Sequence, residues 1–221
     1  MAQAGDGGRD QARDDNRPWR LGVLLSGSGR TLENLLAVIA RGELDAEIAS
    51  VVSSRSSVRG IDVARDAGIP VRIVTRKAYS TPEAHSRAIY DAVNPNAPDL
   101  LILAGYLRQL VVDPNWKGRM LNIHPALLPQ AEAWAAGQGK YGDFVHAAVL
   151  AHGDTVSGAT VHVVTEDYDT GPAVLQREAP VLPDDTVATL AERVFAVECE
   201  LYPEAIRRYL ATHPKLRRGS S

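Results

Sequence analysis

Short apolar runs alternate with amphipathic stretches along almost the whole chain, and that alternation leaves few folds open. The first run, "RLGVLLS", closes on Gly-Ser-Gly and reads as a buried strand. "TLENLLAVIARG" follows with helical spacing: Leu32, Leu35, Leu36 and Ile39 share one face, and Gly42 supplies the stop. The pattern then repeats. "AEIASVVSS", "VRIVT", "DLLILAG" and "MLNIH" read as strands, with "VRGIDVARDAG" and "TPEAHSRAIYDAV" as helices among them. Thr81 stands where the second of these helices needs a cap, with Pro82 in its first turn. "DLLILAG" is apolar throughout, as suits a parallel strand covered on both faces. Two late strands, "GATVHVVTE" and "AVLQREAPV", have no helix between them, so antiparallel pairing is expected there. A long helix, "TVATLAERVFAVECELYPEAIRRYLATH", closes the series. The expected architecture is one α/β domain on a doubly wound, mostly parallel mixed sheet with helices on both faces.

The domain is expected to span residues 19–213. Residues 1–18 are polar, charged and Gly-rich, and are expected to form a disordered tail; residues 214–221 are expected to be a frayed end. The tail lacks the apolar centre of a secretory signal, and Asp6, Asp10, Asp14 and Asp15 do not suit a mitochondrial presequence. A cytoplasmic location is expected, in keeping with a single cysteine, Cys199. One cysteine also rules out an internal disulfide and a zinc cluster built on cysteine. With 24 basic against 27 acidic residues, no surface for nucleic acid is announced. No apolar run approaches the roughly 18–20 residues of a membrane span.

Ligands of open α/β sheets sit beyond the carboxyl ends of the strands. Three unusual segments fall at such ends: "SGSGRT", "GYLRQL" and "NIHPALLP". In the first, Gly27 and Gly29 allow a tight turn into a helix whose free N–H groups attract an anion. Ser28 and Thr31 add hydroxyls and Arg30 adds charge, which suits a phosphate. It is not a Walker A loop, since the lysine and spacing are missing. Nor is it a dinucleotide fingerprint: Leu32 takes the third glycine's place, and "VVSSRSS" offers no acid for a ribose. A tight strand–helix turn without a ligand fits the same residues.

In "NIHPALLP", Pro125 biases His124 toward extended backbone, so the side chains of Asn122 and His124 point the same way. A carboxamide and an imidazole on one side of a strand end can jointly hold a carbonyl oxygen as it turns negative. They have no metal-ligand spacing, and no metal is expected. Asp169 precedes Thr170-Gly171-Pro172, a turn between the two late strands. It either shapes that turn or reaches His124 and favours the charged imidazole. Spacing leaves both open.

These segments resemble the phosphoribosylglycinamide formyltransferase family, also called glycinamide ribonucleotide transformylases. "SGSGRTLENLL", "SSRSSVRGIDVARDAGIP", "APDLLILAGYLRQL", "NIHPALLP", "GATVHVV", "DTGP" and "ECELYP" carry the likeness, in that order, from about Arg20 to about Leu210. The resemblance implies a mixed sheet of about seven strands. It implies transfer of a formyl group from 10-formyltetrahydrofolate, as co-substrate, to the amine of glycinamide ribonucleotide, the third step of purine synthesis. By residue, it implies Asn122, His124 and Asp169 as the catalytic trio. Gly27, Ser28, Gly29, Arg30 and Thr31 are implied for the ribonucleotide phosphate, with Glu198 also on the ribonucleotide. Leu107, Arg108, Gln109 and Leu110, with Asn122, are implied for the folate. The partners expected are these two small molecules, with no nucleic acid or membrane, and the chain a monomer or weak homodimer.

Two departures stand out. After "LLP" the chain runs on as "QAEAWAAGQGKYGDFVHAAVL", a longer Gly-rich stretch expected to be a loop over residues 130–143, either plain surface or a lid. A family arginine before the third helix falls at Pro82, and Arg76, Lys77 or Arg30 could replace it. Other members of the wider group stay in view. Methionyl-tRNA formyltransferase carries an added barrel domain, which is not expected here. Formyltetrahydrofolate hydrolase shares the trio but needs no phosphate loop. A nucleotide-sugar formyltransferase would read the same phosphate. A binding module that had lost activity would not be expected to keep Asn122, His124 and Asp169.

Overall fold

The computed structural model describes residues 17–131 and 142–217. Seven strands form one sheet: β1 (Trp19–Leu25), β2 (Ala46–Ser53), β3 (Val71–Ile73), β4 (Leu100–Leu103), β5 (Met120–His124), β6 (Val156–Val163) and β7 (Ala173–Pro180). Their order is β3-β2-β1-β4-β5-β6-β7. The first five run parallel, and β6 pairs antiparallel with both β5 and β7. Five helices are described: α1 (Arg30–Ala40), α2 (Arg59–Asp66), α3 (Pro82–Val93), α4 (Asp143–His152) and α5 (Val187–Thr212).

Strand alternation divides the core in two. Leu21, Val23, Leu25, Leu100, Ile102, Leu121 and Ile123 face one side, where they pack with Leu32 and Leu35 of α1 and Leu201, Tyr202 and Ile206 of α5. Leu24, Leu101, Leu103 and Met120 face the other, against Ile89, Tyr90 and Val93 of α3 and the buried Trp116. Asn122 and His124 continue the second series, so they point to the α3 side at the carboxyl edge of the sheet. Strand order reverses between β1 and β4, and that switch point opens the crevice described below.

Local chemistry explains the helix ends. Thr81 caps α3 by accepting from the Ala84 amide at 3.2 Å, with Pro82 as its first residue. Thr186 and Thr189 form a reciprocal capping box at the start of α5. Pro203 lies inside α5 and cannot donate to the Cys199 carbonyl one turn earlier. Asn34 of α1 fills that gap, its Nδ2 donating to the Cys199 oxygen at 2.7 Å. The bond ties α1 to α5 beside Glu198.

Contacts reach past both expected ends of the domain. Arg17, expected in the tail, pairs in bidentate fashion with the fully buried Asp99 at 2.7 and 2.8 Å. Residues 214–216, expected to fray, form a short turn; Leu216 is buried in the core, and its carbonyl accepts from Arg119 Nη1 at 2.5 Å. At one end Arg17 satisfies the buried Asp99, and at the other the Leu216 carbonyl satisfies the half-buried Arg119. The rest of the two expected tails lies outside the described residues. The helix α4 begins at Asp143, the last residue of the expected loop, and is not among the expected helices: its run Phe144, Val145, Ala147, Ala148, Val149 and Leu150 lacks a polar stripe to betray a helix. Residues 132–141, most of the expected loop, lie outside the described residues.

Candidate active site

Three loops converge beyond the carboxyl ends of β1, β2 and β4. The Ser26 hydroxyl lies 2.6 Å from that of Ser54 and accepts from the Leu107 amide at 2.9 Å, while the Ser26 amide donates to the Gly105 carbonyl at 3.1 Å. On its far side the segment after β4 is pinned to α3. The Val111 amide donates to Ser86 Oγ at 2.9 Å, and the Tyr90 hydroxyl donates to the Val111 carbonyl at 3.1 Å. The loop holding Leu107, Arg108, Gln109 and Leu110 is thereby fixed between two elements.

Beside these loops lies a crevice of about 690 Å³, within the usual range for small-molecule sites. Its lining brings together Leu107, Arg108, Gln109 and Leu110 with Tyr106 and Val164, Asn122, His124 and Asp169 at the sheet's carboxyl edge, and Arg30, Thr31 and Glu198. Residues far apart in sequence are thus brought together. Gly27, Ser28 and Gly29 do not touch the crevice wall itself. Of the three candidates to replace the arginine at Pro82, Arg76 and Arg30 line the crevice and Lys77 does not. The Arg76 guanidinium donates to the Tyr79 carbonyl at 2.6 Å.

Gly29 has φ 80°, and a Cβ there would lie 2.6 Å from the Gly60 Cα. The glycine therefore makes room for the first turn of α2, whose Gly60 amide donates to the Gly27 carbonyl at 3.2 Å. Beside this turn, Arg59 pairs with Glu33 and also donates to the Ser28 carbonyl at 3.2 Å. Arg30 forms a bidentate pair with Glu192, at 2.7 and 2.6 Å, and its guanidinium lies 3.7 Å from the centre of the Phe195 ring. Glu198 retains some exposure into the crevice, yet the surrounding protein pushes its carboxyl up to about 8, against the pull of Arg30.

Within the crevice, the Asp169 carboxylate stands between two imidazoles. Oδ2 is 3.6 Å from His124 Nδ1, and Oδ1 is 3.5 Å from His162 Nε2. Asn122 Nδ2 reaches both His162 Nε2 at 3.2 Å and Asp169 Oδ1 at 3.5 Å. His162 Nδ1 lies 3.1 Å from the Val163 carbonyl, so a proton on Nδ1 leaves Nε2 to accept from Asn122. Asp169 holds its place through a tight turn. Its own φ is 56°, a left-handed conformation that Asp tolerates. A Cβ on Gly171 would meet the Val163 carbonyl oxygen at 1.7 Å, so only glycine lets the turn fold back.

Sequence reasoning missed His162 and His146. His162 faces Asn122 across the antiparallel β5–β6 register, a pairing that no spacing reveals. His146, on α4, lines the crevice with its Nδ1 buried and without a hydrogen-bond partner among the described residues; burial lowers its pKa, nearby Asp143 raises it and His124 lowers it further. Burial raises the Tyr106 phenol, whose hydroxyl also has no partner among the described residues. Among the described residues no group of three or more His, Cys, Asp or Glu is placed to hold a metal, and no helix is long and apolar enough to cross a membrane.

The formyl transferase family profile matches residues 19–206. The chain is 39% identical over 191 residues to the trifunctional purine biosynthetic protein adenosine-3 of Bos taurus, covering 85% of this chain and 18% of that protein. It thus spans under a fifth of the length of that relative. It is 34% identical to the phosphoribosylglycinamide formyltransferase of Haemophilus influenzae, with 85% of each chain covered. The crystal structure of glycinamide ribonucleotide transformylase 1 from Symbiobacterium toebii superposes with a TM-score of 0.77 at 39% identity, over 86% of each chain.

Proposed function

The chain belongs to the formyl transferase family, and from that premise we propose that it moves the formyl group of 10-formyltetrahydrofolate to the amine of glycinamide ribonucleotide. The observation that carries this reading is one crevice whose lining combines the apolar Tyr106, Leu107, Leu110 and Val164 with Arg30 and Thr31 of the phosphate-suited turn and with Asn122, His124 and Asp169. Leu107, Leu110, Tyr106 and Val164 suit a flat heteroaromatic ring, and Arg108 and Gln109 supply polar contacts at its edge. Arg30 and Thr31, with the turn at Gly27, Ser28 and Gly29 behind them, suit the phosphate; Glu198 suits the ribonucleotide beside it. Arg76 is the residue that takes over from the arginine missing at Pro82.

The chemistry assigned to each residue follows from position. The neutral amine attacks the formyl carbon, and negative charge gathers on the formyl oxygen. Asn122 donates through its amide, and protonated His124 donates from the same strand face. Asp169, facing His124 Nδ1 at 3.6 Å, favours the charged ring. His162 accepts from Asn122 and holds the carboxamide in place. Proton transfer from the attacking amine to the departing folate nitrogen passes through water ordered by Asp169. The reaction is placed in the cytoplasm, with the protein a monomer or weak homodimer.

The test follows folate deformylation by absorbance, with and without glycinamide ribonucleotide. Turnover that requires the ribonucleotide supports the transferase. Equal turnover without it would identify a hydrolase, and turnover only with an amino sugar nucleotide would identify a different acceptor.

A further inference from the structure

Two arginines stand at the turn of residues 27–31, Arg30 within it and Arg59 beside it, and each already holds a glutamate: Arg59 with Glu33, and Arg30 with Glu192. They differ in what else fixes them. Arg59 also donates to the Ser28 carbonyl and so supports the turn's backbone. Arg30 has no backbone bond among the described residues; it is held by the Glu192 carboxylate and by contact with the Phe195 ring. Arg30 and Phe195 line the crevice, whereas Glu192 stands outside it with its side chain 66% exposed. The guanidinium therefore lies on the rim, with a carboxylate on its solvent side and the crevice on the other. An exposed ion pair of this kind is weak and readily exchanged. A phosphate oxygen pair matches the guanidinium fork as well as a carboxylate does, and carries more charge.

We propose that Glu192 is a built-in competitor for Arg30: a phosphate ester entering the crevice replaces the Glu192 carboxylate as the bidentate partner, while Phe195 keeps the guanidinium on the rim. The proposal rests on residues 27–31 being the phosphate end of the site. Glu192 then acts as a built-in anion that a ligand must outcompete. Every anion that uses Arg30 must displace the same carboxylate, so the affinity of this end of the site is set in part by a residue that does not line the crevice. Phe195 makes the exchange a short swing of the guanidinium, since the ring face accepts it in both positions.

The experiment measures binding of ribose 5-phosphate, and the KM for glycinamide ribonucleotide, in wild type, Glu192→Gln, Arg30→Gln and the double variant. Glu192→Gln is expected to tighten ribose 5-phosphate about two- to fivefold, the range of an exposed ion pair, and to lower KM with kcat held. Arg30→Gln is expected to weaken binding, and adding Glu192→Gln to it is expected to change nothing further. A plain structural brace between α1 and α5 would instead lower the melting temperature without tightening binding, and would overturn the proposal. So would tightening of equal size with and without Arg30, which would reflect general charge alone. If wild type turns over glycinamide ribonucleotide while Glu192→Gln binds as wild type does, the competitor role alone fails. If wild type neither binds ribose 5-phosphate nor turns over glycinamide ribonucleotide, the reading of the site fails with it.

Discussion

Asp169→Asn removes one charge and almost no volume, which makes it the sharpest probe of the crevice. The carboxylate oxygen stands 3.6 Å from His124 Nδ1, and the two side chains are 11% and 5% exposed. At that separation a unit charge pair is worth about 1 kcal/mol with the dielectric of water and about 5 kcal/mol at an effective value near 20. Losing it lowers the protonated fraction of His124, above its titration, by roughly sevenfold to about 10³-fold. Under the proposed mechanism formyl transfer needs the amine neutral and His124 charged, so the rate depends on one deprotonation and one protonation. In Asp169→Asn the limb on which activity falls as pH rises should move to lower pH, because a ring without its carboxylate gives up its proton sooner. The rate at neutral pH should drop by about 10²–10⁴, the usual worth of a positioned proton donor. Dissociation constants for both substrates should change far less, since the interaction matters most in the transition state. His124→Ala should cost a similar factor, and the double variant little more, because the two act as a unit. NMR titration of the imidazoles checks the cause directly, with His162 followed too because Asp169 also faces it at 3.5 Å. Additive losses, or a His124 titration unmoved in Asp169→Asn, would show that Asp169 only shapes the turn at Thr170, Gly171 and Pro172.

Three further outcomes are expected. Glu198 has a folded-state pKa raised to about 8 from an ordinary value of 4.5, so it stabilises the fold below pH 4.5 and that contribution is lost as pH rises through 8; Glu198→Gln should melt with wild type at pH 5 and above it at pH 9, and equal melting at both would remove the buried-acid argument. Gly29→Ala places a Cβ 2.6 Å from the Gly60 Cα at φ 80°, so urea unfolding should show a loss of about 1–3 kcal/mol, whereas Thr31→Val should weaken ribose 5-phosphate binding at unchanged stability. Asn34→Ala leaves the Cys199 carbonyl opposite Pro203 without its donor and should cost about 1–2 kcal/mol by urea unfolding; no loss would mean that water replaces the amide.

Periodicity in the sequence was enough for the strands and most helices, because each buries a face that the pattern of residues displays. Thr81 and Pro82 mark the start of α3 for the same local reason. What local pattern does not carry is anything set by a partner. The helix α4 has apolar residues on most of its sides, and Leu216 looks like part of a polar end until the core that receives it is known. His162 becomes a site residue only through the β5–β6 register, which pairs it with Asn122. Gly29 is the most instructive case. The sequence shows that a glycine stands at a strand–helix turn, and both close ligand approach and close chain approach demand one. The structure fills the space with Gly60, which leaves the crevice face of the turn to Arg30 and Thr31. A glycine-rich turn therefore testifies to crowding before it testifies to a ligand, and the side chains after it are the ones whose replacement separates the two.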